Sequence, residues 1–277
     1  MTANVPRVGS RDQTVKWFDK TVTVPPQARD LLENYSRVSA EDVENHVIAL
    51  RDKAWEVWPY PCLGQFRFLE LNLAGRADLY PRLVARLRGG DRFLDVGCCL
   101  GQDIRKLVHD GVPGENLVGA ELNGGFIDLG YELFRDRDTL GARFVTADIL
   151  DGEGAWRGFE GQMDVVQLGM ILHLFSWDEQ VKVFEHAIRV LKSDTKGAAI
   201  IGQATGNVDG LPGPSWDKST FRHNAATFTK LIDEVSAKTG TEWDVKASLD
   251  EGLSIFDGKR TWDDPKTRRL LFEIEKR

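Results

Sequence analysis

The sequence predicts an α/β protein: a doubly wound, mixed sheet of seven strands with an antiparallel C-terminal edge, preceded by an N-terminal helical arm or lid. Three observations carry this. Between residues 92 and 203 short apolar runs alternate with helical segments, a rhythm that produces parallel strands covered by helices on both faces. The first of these runs, Phe93-Leu-Asp-Val, leads straight into a turn with Gly97 and Gly101 ahead of a helix, and such turns sit where open α/β sheets bind ligands. Beyond residue 206 the alternation stops, and the last two strand-like runs are separated by a turn-rich stretch, so they pair as a hairpin-like edge.

Taken in order, residues 1–90 form the arm and residues 91–277 the sheet-bearing domain. The arm opens with a polar stretch broken by Pro25 and Pro26. A helix follows over 40–57, where Ser39-Ala-Glu-Asp resembles an N-cap with acidic first-turn residues. Pro59 and Pro61 prevent that helix from continuing. An aromatic turn, Trp58-Pro-Tyr-Pro-Cys-Leu-Gly, leads into residues 65–73 and a helix over 80–87. In the domain, strands are expected at 92–96, 116–121, 143–147, 163–168 and 197–203. Helices are expected at 102–110 (stopped by Gly111), 126–135 and 177–191. A Gly/Pro-rich loop at 206–216 precedes a helix over 224–238, and 241–248 with 268–274 make the antiparallel edge around the turn-rich 250–265.

Composition narrows the function. The chain has 277 residues with 36 Lys and Arg against 43 Asp and Glu, a net charge of −7 that makes nucleic acid a poor partner. Apolar residues at 42% and charged residues at 29% are ordinary for a globular domain with a sizeable core. The three cysteines, Cys62, Cys98 and Cys99, make a poor disulfide framework, which points to a reducing, cytoplasmic setting. No CxxC or Cys/His cluster suggests a metal. Residues 1–10 lack the apolar core of a signal peptide, and no apolar run approaches the ~18 residues of a membrane span.

The chemistry concentrates at the first turn. A dinucleotide fingerprint needs glycine at the first, third and sixth places; here those places hold Gly97, Cys99 and Gln102. Glycine at the first and fifth places still admits a ligand against the backbone, which suits a nucleoside without a pyrophosphate. Two more acids follow strands: Glu121 ends the second and Asp148 follows the third. Each alone fits a helix cap or a solvated turn. With Asp95, they form a set of three acids after three successive strands.

On Leu94-Asp95-Val96-Gly97-Cys98-Cys99-Leu100-Gly101 the sequence resembles the class I S-adenosylmethionine-dependent methyltransferases, with their Rossmann-like fold; it departs at Cys99, where many members have glycine. The resemblance implies S-adenosylmethionine as cofactor, S-adenosylhomocysteine as product and no metal. It implies that Asp95 helps hold the methionine ammonium while the backbone from Gly97 through Cys98 to Gly101 packs on methionine and ribose. Glu121, with Leu122 and Asn123 beside it, takes the ribose hydroxyls. Asp148 accepts from the adenine amino group beside the Ile149 amide, and the Gln167-Leu168 backbone lies near the sulfonium. Residues just beyond face the acceptor. There His173 is either a general base or positioning group or a core histidine, and Phe175 and Trp177 either wall an apolar pocket or fill the core. In the arm, Tyr60 and Phe66 suit a lid. Arg67 either pairs with a carboxylate of substrate or cofactor or makes a surface ion pair.

The narrower resemblance is to small fungal methyltransferases of meroterpenoid pathways, on Trp58-Pro-Tyr-Pro-Cys-Leu-Gly-Gln-Phe-Arg-Phe-Leu, the double-cysteine motif and Gly-Ala-Glu-Leu, from about residue 40 to the C-terminus. It implies methylation of a carboxyl oxygen of a farnesylated aromatic acid by a homodimer. A phenol or alcohol acceptor with His173 as base is the alternative within the class. Outside it stand a non-catalytic protein that keeps the fold and a nicotinamide-dependent oxidoreductase, which the glycine spacing and the lack of an evident Tyr-x-x-x-Lys pair disfavour. Nucleic-acid methylation is disfavoured by Gln167-Leu168-Gly169-Met170 standing where an Asn-Pro-Pro-Tyr-like motif would be. A small-molecule acceptor, with no nucleic-acid or membrane partner, is the expectation.

Overall fold

A computed structural model describes residues 9–193, 196–213, 219–253 and 263–277. Residues 1–8 and parts of the expected 206–216 and 250–265 loops lie outside the described residues.

Pro26 starts a helix rather than breaking one. At the first helical position its fixed φ is already suitable and its missing N–H would have had no helical partner. α1 (Pro26–Asp30) continues into a wider π turn, Leu31–Tyr35, and buries Ala28, Leu31 and Leu32. α2 (Val43–Val57) begins three residues later than expected, because Ser39 is not its cap: the Ser39 hydroxyl donates to the Asp42 carboxylate at 2.7 Å. Val43, Val47, Leu50 and Ala54 recur at helical spacing and are buried. Pro61 opens a further short helix, α3 (Pro61–Gly64), and α4 (Tyr80–Arg88) completes the arm.

The alternating region folds as β1 (Phe93–Val96), α5 (Gln102–His109), β2 (Leu117–Glu121), α6 (Gly124–Phe134), β3 (Arg143–Thr146), β4 (Val165–Gly169), α7 (Trp177–Val190) and β5 (Ala199–Asn207). A two-residue hairpin not expected from the sequence, β6 (Leu211–Pro212) with β7 (Phe221–Arg222), precedes α8 (Ala225–Thr239), β8 (Trp243–Asp250) and β9 (Thr267–Lys276). The main sheet has the order β3-β2-β1-β4-β5-β9-β8, parallel except for β9, which runs antiparallel between β5 and β8. Strands are added on one side of β1 up to β3 and on the other from β4. The carboxyl ends of β1 and β4 therefore mark the topological switch point, where a crevice opens.

β5 extends four residues past its expected end because its ladder with β9 runs from Ala199 opposite Glu275 to Asn207 opposite Thr267. Gly206 thus lies in a strand, where a Cβ would meet the His223 carbonyl oxygen at 2.5 Å. The arm packs on the domain through a shared core in which Val47, Leu50 and Ala54 meet Phe126, Leu129 and Leu133. Among the described residues no helix is long and apolar enough to cross a membrane.

Candidate active site

A cavity of about 640 Å3 lies at the switch point, walled by the carboxyl ends of β1, β2 and β4, by the middle of β5, by the arm, and by β7. Its floor is the turn after β1, where Gly97, Cys99 and Gly101 all take positive φ, at 73°, 51° and 65°. A Cβ on Gly97 would stand 2.4 Å from Ile171 Cγ2, so only glycine lets this backbone pass under the segment that follows β4.

Glu121, buried at 7% exposure, clasps that turn. Its carboxylate accepts from the Cys99 amide at 2.9 Å and from the Asn123 amide at 3.1 Å. Burial raises its pKa, while the amides of Asn123, Cys99 and Leu122 oppose the rise. A carboxylate fixed in this way at a strand tip is a preset acceptor for a ligand's hydroxyls.

Beside it two carboxylates share one amide. Gln167 Nε2 donates to Asp95 Oδ1 at 3.2 Å and to Asp103 Oδ2 at 3.3 Å, and Asp103 Oδ1 is buried without a partner. Burial drives Asp95 well above the usual carboxylate range, with the charge of Asp103 adding to the rise; burial also pushes Asp103 up to about 6. Neutral amides cannot compensate two buried negative charges. The pair therefore fits a cationic ligand group, and with Gly97 and Glu121 it matches the ammonium and ribose ends of S-adenosylmethionine. Among the described residues no group of His, Cys, Asp and Glu could hold a metal ion.

The other expected residues divide. Cys98, Leu122, Asp148 and Ile149 line the cavity. Asp148 is exposed and held by the Leu150 amide at 2.9 Å, while its own carbonyl accepts from the Trp156 indole at 2.6 Å. Gly101, Asn123 and Leu168 stand back from it: Gly101 precedes α5, Asn123 caps α6 by accepting from the Gly125 amide, and Leu168 is core. His173 and Phe175 line the wall beyond β4, and Tyr60 lines it from the arm, near Glu121. Burial, and then the charge of Glu121, push Tyr60 up to about 12, so it presents a neutral ring.

Phe66 and Trp177 do not reach the cavity. Phe66 takes φ 54° and covers the Arg51 guanidinium at 4.2 Å. Trp177 turns toward α8, donating to Glu234 at 2.8 Å and meeting Phe221 edge-on. Arg67 lines the wall, but is already paired with Glu70 at 3.1 Å and donates to the Gly252 carbonyl at 3.2 Å.

The cavity also takes in Asp103, Arg76, Gln203 and Arg222, none of which received a role from the sequence. Only Asp103 carries a local signal, as an acid two residues past Gly101. The others come from separate elements and meet only in the fold.

Comparison with known proteins agrees with this geometry. Residues 17–69 match the meroterpenoid methyltransferase N-terminal domain, and residues 93–194 match a methyltransferase domain. O-methyltransferase atr3 of Stereocaulon alpinum is 43% identical over 97% of this chain and 78% of its own. O-methyltransferase phiE of Fungal sp. (strain ATCC 74256) is 41% identical over 96% of both chains. Among solved structures, Haemonchus contortus phosphoethanolamine N-methyltransferase 2, in complex with phosphomonomethylethanolamine and S-adenosylhomocysteine, is similar with a TM-score of 0.54 at 16% identity, covering 94% of this chain and 61% of its own. That likeness is one of fold alone. The two relatives extend over nearly the whole sequence, and the chain belongs to the S-adenosylmethionine-dependent methyltransferases of the fungal meroterpenoid type.

Proposed function

We propose that the protein methylates a carboxyl oxygen of a small apolar or aromatic acid in a fungal secondary-metabolite pathway, giving a methyl ester. The observation that carries this reading is the state of His173. Its Nδ1 accepts from the Thr205 amide at 3.4 Å, so the neutral ring carries its proton on Nε2. In that tautomer Nε2 is a donor, and the ring's one basic lone pair, on Nδ1, is turned to the Thr205 amide. A carboxylate needs no base and is served by a donor, whereas a phenol needs its proton removed. The description of both relatives as O-methyltransferases supports oxygen as the acceptor atom.

When bound, S-adenosylmethionine supplies a methyl group on a sulfonium, open to in-line displacement by an oxygen. The chain's contribution is alignment and the exclusion of water. Asp95 and Asp103 hold the cationic end, Glu121 holds hydroxyls and the glycine turn together, and Tyr60, Phe68 and Phe175 supply apolar wall. Tyr60 and Phe68 come from the arm, which supports treating residues 1–90 as a lid over the site. That Cys62, Cys98 and Cys99 form no disulfide supports a cytoplasmic setting; the homodimer rests on the family resemblance.

The test is methyl transfer from tritiated S-adenosylmethionine to a panel of aromatic acids. The product is expected to release labelled methanol in mild alkali, as an ester does and an ether does not. His173→Asn is expected to lower kcat by less than about tenfold, whereas loss of a general base costs roughly 10²–10⁴. A loss in that higher range with an alkali-stable product would assign a phenol acceptor and the base role.

The carboxylate pair gives a second expectation. Burial raises Asp103 to about 6 and Asp95 well above the usual carboxylate range, so the free pair holds protons that a facing cation expels. Affinity for S-adenosylhomocysteine should be greatest at high pH and fall as pH drops through about 6, by up to about tenfold per pH unit for each proton released. Calorimetry in buffers of different ionisation enthalpy should show net proton release. A Kd flat from pH 5 to 8 with no proton exchange would contradict it.

A further inference from the structure

We propose that Arg222, on β7, grips the carboxylate of the methyl acceptor and so determines selectivity for acids. The inference rests on the ester reading and assigns the residue that makes it specific. β7 is fastened to the acceptor wall: the Phe221 amide donates to the Phe175 carbonyl at 3.0 Å, and Gln180 Nε2 donates to the carbonyls of both Phe175 and Phe221, at 3.1 and 3.0 Å. Arg222 is thereby held on the wall that carries His173 and Phe175, and it lines the cavity.

Arg222 is 8% exposed, and the hydrogen bonds of its guanidinium are one-sided. Nη1 donates to Asp263 Oδ1 and to Thr267 Oγ1, each at 3.1 Å, while Nε is buried without a partner. The Nε and Nη2 edge is the fork whose two parallel N–H groups match a carboxylate. Gln203 Oε1, in the cavity wall, and Thr205 Oγ1, on the residue whose amide meets His173, are also buried without partners. Buried polar atoms without partners on β5 and β7, beside His173, are the mark of a polar ligand group. Arg67, the arginine suggested by the sequence, already faces Glu70.

Because Asp263 is fully buried against Arg222, the pair is neutral and offers an incoming anion directed hydrogen bonds more than net charge. A lysine, which keeps the charge and loses the planar fork, should not replace it.

The experiment is calorimetric titration of the full chain, saturated with S-adenosylhomocysteine, with 2-naphthoate and with 2-naphthamide. The wild type is expected to bind the acid at least about tenfold more tightly than the amide. Arg222→Lys is expected to abolish that preference while binding S-adenosylhomocysteine as the wild type does. A preference retained in Arg222→Lys overturns the role of Arg222 and leaves the ester reading standing. No preference in the wild type overturns the carboxylate subsite and the ester reading together. Should Arg222→Lys lose S-adenosylhomocysteine binding, the paired change Arg222→Gln with Asp263→Asn, which leaves no buried charge unmatched, is judged by the same preference.

Discussion

Replacing Glu121 with alanine is expected to weaken S-adenosylhomocysteine binding about a hundredfold, because one carboxylate does two things at this site. On the proposed reading it is the acceptor offered to the ligand's hydroxyls, and hydrogen bonds to a buried anion contribute roughly 1.5–3 kcal/mol each. It also ties the Cys99 and Asn123 amides together, at 2.9 and 3.1 Å, and so holds the glycine turn against the start of α6. Glu121→Gln separates the two: the amide keeps one acceptor and a similar shape, so a smaller loss of about tenfold is expected. Isothermal titration of both variants decides it. A Kd for Glu121→Ala within about threefold of wild type would remove Glu121 from the binding site. Asp148 makes the useful contrast, since it is exposed, and on the same proposal its removal would deprive the ligand of an acceptor that water can replace.

What could be read from the sequence was local. β1, with four successive buried residues, and the glycines after it announce themselves because a parallel central strand must be apolar on both faces and the turn needs positive φ. Prolines were ambiguous for a physical reason: Pro26 and Pro61 stop a helix arriving from the N-terminal side but suit the first turn of one that begins there, and both begin helices. The aromatics were ambiguous too. Phe66 and Trp177 lie one and two positions from the cavity-lining Arg67 and Phe175, yet a positive φ turns one onto Arg51 and helix phase turns the other toward Glu234. Arg222 had no local signal. Its meaning comes from Asp263 and Thr267, more than 40 residues away, which take one edge of the guanidinium and leave the other.

Arg105→Met should be the most destabilising of these changes, lowering the free energy of unfolding by about 3–5 kcal/mol, the usual result of stripping one partner from a buried ion pair. Arg105 is fully buried. Nε and Nη2 donate to the two oxygens of Asp136 at 2.9 and 3.1 Å, and Nη1 donates to the Leu100 carbonyl at 2.9 Å. The rings of Tyr131, Phe134 and Phe144 surround the guanidinium at 4.9 to 5.1 Å. From the arm, the Tyr35 hydroxyl donates to Asp136 at 2.7 Å. The network thus joins arm, α6 and glycine turn at one carboxylate. Methionine would fill the aromatic box but leave Asp136 charged and buried, with only the Tyr35 hydroxyl, and the Leu100 carbonyl without its donor. Adding Asp136→Asn removes the stranded charge, so the double variant should regain part of the loss, a coupling that a double-mutant cycle measures directly. Urea unfolding of the four proteins gives the energies, and S-adenosylhomocysteine affinity reports on the turn. A single-variant loss below about 1 kcal/mol would show that the buried pair is not what fixes the glycine turn to the arm.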